Sequence, residues 1–320
     1  MSETVAPYNG VSGPSLRSVP VTVLILTRNE ELNIERCLAS VGWADQVIVI
    51  DSGSSDRTVE FATASGSEVV NQAWLGFGAQ RAFALRLPQI TNEWIYFIDA
   101  DEWVSSGLAA EVESAIQTRD VSAFSQRFRL IFQGSWIRHC GWYTGSWITR
   151  LMRRADAEYV HASTGERPTI HGRTAKLSND LIDEDLKGLA AWLHKHVEYA
   201  VLDASSQLHA NQRTRVRKLI AVRRHSPMPF GRALAKEVYV LLPFPGMWIF
   251  CYMYIVRAGF LDGKQGLRFC LYHAWFRMTA RALREDRATG ESNCSWPALQ
   301  RVSVSVIGKS RMLTQRTGGE

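Results

Sequence analysis

From residue 20 to about residue 103, short unbroken apolar runs alternate with stretches whose apolar residues recur at helical spacing, and two of the runs lead into aspartate. VTVLIL at 21–26, VIVI at 47–50 and WIYFI at 94–98 are too apolar for strands with one wet face. Runs of this kind belong to parallel strands covered on both sides. Between the first two, Ile34, Cys37, Leu38 and Val41 stand at i, i+3, i+4 and i+7, the spacing of one buried helix face. Asn29 or Asn33 is suited to cap that helix. A helix from about Arg57, a strand at 68–70 and a helix at 79–87 complete the rhythm. Such alternation makes an α/β domain with a largely parallel sheet flanked by helices, in which ligands bind beyond the carboxyl ends of the strands. Asp51 follows VIVI, and Asp99, Ala100, Asp101 and Glu102 follow WIYFI, so both acidic turns are expected at that edge.

The chain has room for this domain and an appendage. Its 320 residues, 46% hydrophobic and 21% charged, suffice to bury a core and are not a disordered composition. A net charge of +6 suits anionic lipid, nucleic acid or a phosphorylated ligand alike and selects none of them. Cys37, Cys140, Cys251, Cys270 and Cys294 are odd in number and widely spaced, which indicates neither a disulfide framework nor a cysteine zinc site. A reducing compartment is the simpler reading. Residues 1–19 hold no signal-peptide core and are expected to form a flexible tail.

The catalytic domain is expected over 20–210. Within it, the aromatic and polar segment 122–148 is expected to supply strands that wall the second half of a cleft, and helical spacing returns after Leu186. A basic and apolar helical, membrane-associated region is expected over 211–290 and a mobile tail over 291–320. The basic stretch runs from Arg213 to Arg232. Residues 238–256 are uncharged, close to the roughly 20 apolar residues of a spanning helix, but Pro243, Pro245 and Gly246 break the first third. A re-entrant or interfacial helix is expected, with nearby Lys and Arg strengthening contact with anionic lipid.

An Asp-x-Asp after an apolar strand is a short pattern that also fits a solvated helix cap. Asp51, one βα unit earlier, raises its meaning. Hard cations such as Mg²⁺ or Mn²⁺ share one or two carboxylates with substrate phosphates, and a diphosphate leaving group needs its developing charge neutralised. Asp99 and Asp101 are therefore candidate metal or diphosphate ligands.

VTVLILTRNEELNIERCLASVGWADQVIVIDSGSSDRT, WLGFGAQRAFAL and YFIDADEWV, in that order, resemble family 2 glycosyltransferases of the GT-A fold, in particular the lipopolysaccharide-core and polysaccharide-biosynthesis group. The likeness runs from about Pro20 to about Ala200. It implies that Leu26, Thr27, Arg28, Asn29 and Glu30 lie where the first strand meets the nucleotide base. It places Asp51 in the loop holding that base, with Ser52 where many relatives have a second acid. It implies that Gln80 and Arg81 border the donor, Arg81 within reach of phosphate, and that Ala82 stands where relatives often carry Asn. Asp99 and Asp101, flanking Ala100, match the metal- and ribose-binding pair, Asp101 being the direct metal ligand. Trp142, Tyr143 and Trp147 resemble a GWY segment whose rings stack on acceptor sugar, although core packing would account for them equally.

Inverting transfer needs a carboxylate to deprotonate the acceptor hydroxyl. Relatives carry a His-Glu pair after a segment like Arg150–Arg154 here, and Glu166, behind Gly165, is the best match. Asp183, Glu184 and Asp185 form a rival cluster, which reads equally as acids in the first turn of the next helix. The resemblance thus implies an inverting, divalent-metal-dependent enzyme. It would move sugar from a nucleotide-diphosphate-sugar, expected to be UDP-linked, to a lipid-linked or lipopolysaccharide-type acceptor, with no nucleic acid as partner. Its place would be the cytoplasmic face of the inner membrane, peripheral or re-entrant, against an anionic surface. Two alternatives share the same sequence: a polyprenyl-phosphate sugar synthase, whose ionised acceptor needs no base, and a non-catalytic basic membrane-binding protein. Nucleotidyl transfer would require a glycine-rich phosphate loop that TRNEE does not supply.

Overall fold

The computed structural model describes residues 18–141, 143, 147–159, 167–208 and 244–289. They fall into two compact units, one ending at Gly188 and taking back Ala258–Gly266, the other comprising Leu189–Arg257 and the chain from Leu267. The first unit opens with β1 (Val19–Thr27), α1 (Ile34–Ser40), β2 (Ala44–Asp51), α2 (Thr58–Ala64), β3 (Glu68–Asn71), α3 (Phe77–Leu85) and β4 (Trp94–Asp99). A two-residue β5 (Glu102–Trp103) and α4 (Ser106–Ala115) follow. Then come β6 (Ala123–Phe132), β7 (Ser135–Trp136), β8 (Trp147–Arg153), β9 (Ala157–Glu158), β10 (Thr169–Ile170), β11 (Thr174–Lys176) and β12 (Leu181–Asp183).

The apolar runs are strands because both their faces are buried. In β1, Val21, Val23 and Ile25 join one core with α1, α2 and α4, while Leu24 joins the opposite core with α3. In β4, Trp94, Tyr96 and Ile98 face the first core, and Ile95 and Phe97 the second. Period-two alternation thus survives within a run that looks uniform.

The expected parallel order holds for β3-β2-β1-β4 and fails beyond it. There β8 returns antiparallel between β4 and β6, and β12 lies parallel to β6 and antiparallel to β5. The sheet is mixed because β8 follows β6 with no helix between them to carry the chain back in the same direction.

In the second unit, α5 (Gly188–Leu208) supplies Trp192 and His196, stacked at a ring separation of 3.5 Å. Burial pushes the His273 imidazole, on α7 (Gly263–Thr289), down to about 3, so it is a neutral packing group at ordinary pH. The apolar run is described from Phe244 onward. Phe244 is left-handed at φ 54°, α6 (Pro245–Cys251) starts on proline, and a π-helical turn follows at Tyr252–Val256. No helix among the described residues is long and apolar enough to cross a membrane. The basic stretch from Arg213 to Arg232 and the tail at 291–320 lie outside the described residues, as does all but the end of the tail at 1–19.

Candidate active site

The two acidic turns meet at one rim of the sheet, on either side of β1. Thr27 stands opposite Asp51 on β2, and Leu26 opposite Asp99 on β4. At about 4.8 Å per strand, Asp51 and Asp99 start roughly 10 Å apart. Asp51 is 1% exposed and closes its own turn, its carboxylate accepting from the Gly53 and Ser54 amides, both at 2.9 Å, and from the Ser54 hydroxyl. Gly53 makes this turn at φ +84°, a conformation that side chains disfavour. Asn29, at φ 54°, stitches the β1 loop to the same turn: its amide donates to Ser54 Oγ and its Oδ1 accepts from the Ser55 amide, both at 2.8 Å. The Glu30 amide reaches Thr58 Oγ1 at 2.7 Å. Leu26 gives its carbonyl to the Ala100 amide, and buried Gln80 donates to Ser52 Oγ at 3.1 Å. Asn29, Asp51, Gln80 and Ser52 are thus joined through Ser54 and Gln72, while Leu26 with Ala100 and Glu30 with Thr58 are tied by separate bonds along the same rim.

Asp99 is gripped by two arginines, Arg81 on α3 and Arg150 on β8, each with a shortest contact of 2.8 Å. The Arg81 side chain is 2% exposed, so where the sequence suggested phosphate contact, the geometry makes it a holder of Asp99. Arg150 also donates to Glu102 at 2.6 Å, and Glu102 in turn accepts from the Asp99 amide at 2.8 Å. In the sequence Glu102 stood only as the last acid of the second turn and Arg150 only as the start of the segment Arg150–Arg154, neither with a role of its own. The signal was an arginine in the middle of a strand, since a charged group seldom buries unless paired.

Burial pushes the Glu102 carboxyl up to about 8, against the pull of Arg150 and with the help of Asp99 and Asp101. Its folded value lies above the unfolded one, so its stabilising contribution is full below about pH 4.5 and is lost as pH rises through about 8. Melting temperature should therefore fall over that window in the native protein and fall less in Glu102→Gln. Parallel calorimetric pH profiles would refute this.

The LIDEDL acids precede α5 instead of sitting in its first turn, since the helix begins at Gly188 with φ +80°. Asp183 ends β12 directly opposite Glu102 on β5, so both side chains project to one face. The Glu184 amide donates to the Asp101 carbonyl at 3.0 Å, fastening the segment to the acidic turn. The Glu184 carboxylate pairs with Arg36 at 2.6 Å, and Asp185 accepts from Asn33 at 2.9 Å. Asn33 makes no side-chain cap on α1. Its amide group instead holds Glu30 and Asp185, and its Oδ1 accepts from the Leu186 amide. Burial, then Asp101, raises the Glu30 carboxyl, opposed by Lys187 at 2.6 Å.

Glu166 and Trp142 lie outside the described residues. Tyr143 donates its hydroxyl to Asp180 at 3.0 Å, and Trp147 begins β8. Asp99 and Asp101 offer the hard oxygen donors that Mg²⁺ or Mn²⁺ takes. Among the described residues, however, no three His, Cys, Asp or Glu side chains group as a metal cage, and Asp99 already carries two guanidinium groups. The donor set fits an ion held chiefly by Asp101, with water and substrate phosphate completing its shell. It does not fit an ion enclosed by protein alone.

Residues 22–160 match the family model described as Glycosyl transferase family 2. An uncharacterized glycosyltransferase of Rickettsia bellii is 45% identical over 94 residues, 29% of this chain and 31% of that protein. The chain thus spans about a third of the length of that relative. The lipopolysaccharide core biosynthesis glycosyltransferase LpsC of Rhizobium meliloti is 25% identical over 224 residues, 63% of this chain and 77% of that protein. Among solved structures, glucosyl-3-phosphoglycerate synthase from Mycobacterium tuberculosis, in complex with Mn²⁺ and UDP-glucose, overlaps 35% of this chain and 44% of its own. The identity is 25% and the TM-score 0.31, a partial likeness.

Proposed function

We propose, from a chain whose residues 22–160 match the model of glycosyl transferase family 2, that this protein is an inverting glycosyltransferase using a nucleotide-diphosphate-sugar and a divalent cation. The observation that carries the reading is the meeting of the Asp51 and Asp99 turns across β1. That rim gives the base a walled loop on the Asp51 side and the diphosphate an acidic, arginine-braced turn on the other. A cation bound at Asp101 would neutralise charge on the leaving diphosphate. Arg81 and Arg150 fix the Asp99 carboxylate, so the turn meets the donor without first having to order itself.

For the proton on the acceptor hydroxyl we assign Asp183. Glu184 and Asp185 turn toward α1, whereas Asp183 shares a face with Glu102 beside the acidic turn. The acceptor we favour is a lipid-linked or lipopolysaccharide-type saccharide, supported by the likeness to a protein named for lipopolysaccharide core biosynthesis. We also propose contact with an anionic membrane at the cytoplasmic face; the exposure of Met247, Trp248, Tyr252, Ile255 and Val256 supports only its apolar part.

The test is thermal stabilisation by UDP-hexoses with and without Mg²⁺ or Mn²⁺. A donor at 100 times its dissociation constant should add about 2.7 kcal/mol. The metal-dependent part should vanish in Asp101→Asn while the melting temperature without ligand stays unchanged. Undiminished metal-dependent stabilisation in that variant would overturn the assignment.

A further inference from the structure

We infer that the acceptor carries an anionic group, phosphate or carboxylate, received by a cationic shelf on β6 and β11. This rests on the glycosyltransferase reading and names the chemistry of its second substrate. Arg127 lies over Tyr143 at 4.3 Å from the ring centroid and over Trp147 at 5.4 Å, and the Lys176 ammonium lies over Trp147 at 4.4 Å. Arg129 lies over Trp136 at 4.3 Å. Tyr143 and Trp147, which the sequence offered for stacking on acceptor sugar, therefore carry cations on their faces, and what they hold up is charge. Stacking on an aromatic face orients a guanidinium without neutralising it.

The charge count points the same way. Asp180 is the carboxylate facing the two arginines, at 3.5 Å from each, the outer limit of a hydrogen bond, and it also accepts from Tyr143. Its side chain is 5% exposed, whereas those of Arg127 and Arg129 are 32% and 34% exposed. Lys176 is also exposed. The negative partner is thus buried beneath the shelf and the positive groups reach solvent, so among the described residues Arg127, Arg129 and Lys176 stand above one buried carboxylate.

The shelf also adjoins the reacting edge. Trp147, opposite Arg127, stands three residues before Arg150 on β8, about 10 Å along the strand. Arg129 pairs with Ile182, so the shelf lies one residue from Asp183, whose side chain leaves the opposite face where β12 ends. An acceptor anchored by its anion on the shelf would present its hydroxyl to Asp183 around that strand end.

The experiment compares glucose with glucose 6-phosphate by ligand-observed NMR on the full chain, with saturating UDP and Mg²⁺ filling the donor site. Glucose 6-phosphate should bind on the order of tenfold or more tightly, the usual worth of one charge-assisted hydrogen bond. That preference should disappear in Arg127→Gln/Arg129→Gln and weaken in Lys176→Gln, which is exposed and reports even if the double change unfolds the protein. Equal binding of the two sugars, or a preference untouched in both variants, would overturn the inference. So would retention on phosphatidylglycerol vesicles that depends on Lys176 without any preference for glucose 6-phosphate, since the shelf would then serve lipid headgroups. UDP-hexose stabilisation should be unchanged in these variants. Its absence from the native protein would count instead against the glycosyltransferase reading.

Discussion

Arg150→Met is expected to lower the unfolding free energy by about 3–5 kcal/mol at pH 8, the usual cost of removing one partner from a buried ion pair. The Arg150 side chain is 10% exposed, and one of its nitrogens serves both Asp99 and Glu102. Methionine fills much of the same volume but leaves Glu102, at 6% exposure, without a counter-charge. Because the Glu102 carboxyl is already raised by burial, it can escape that penalty by taking up a proton. The loss should therefore shrink as pH falls toward 5. Glu102→Gln added to Arg150→Met should recover part of it, since the charge that lacks a partner is then gone. Urea denaturation at two pH values measures all three variants. A loss under about 1 kcal/mol, or one of equal size at both pH values, would mean that Arg150 does not hold this corner.

The contrast between Asp51 and Arg150 shows how much could be read from the sequence. Strands β1, β2 and β4 were legible because each is buried on two faces and so carries an unbroken apolar run, and the aspartates that end β2 and β4 followed from strand direction alone. Past that point the information is no longer local. β5 and β12 are two and three residues long, too short for any period to show, and their pairing is set by what surrounds them. Asn33 carries the residue type of a helix cap, yet its amide is used to tie Glu30 to Asp185, a separation of more than 150 residues that no window detects. The acids of LIDEDL have the composition of a helix start, and only the left-handed Gly188 moves the start beyond them. Tyr143 and Trp147 announced an aromatic wall, but the cations that cover them come from β6 and β11, distant in sequence. Residue type was a sound guide where one element sufficed and a poor one where two distant elements share a side chain.

Asp183→Asn should leave donor binding intact and slow sugar transfer by about 10²–10⁴-fold, the range of general-base effects. Asn keeps the shape and the hydrogen-bonding reach of the side chain while removing its ability to accept a proton, so folding and UDP-hexose stabilisation should match the native protein. Asp183 owes its place to the β12–β5 pair, where it stands across from Glu102, and to the Glu184 amide that fastens the same segment to Asp101. A carboxylate there lies beside the turn proposed to hold the diphosphate and can meet a hydroxyl approaching the sugar carbon from the other side. Glu166→Gln is the matched control, because the family resemblance favours that residue. Single-turnover rates with both variants separate the outcomes. Slow transfer in Asp183→Asn with near-native rates in Glu166→Gln supports Asp183 as the base, and the reverse moves the role to Glu166. Native rates in both would indicate an acceptor that arrives already ionised, as a polyprenyl phosphate does, because such a nucleophile has no proton to give up.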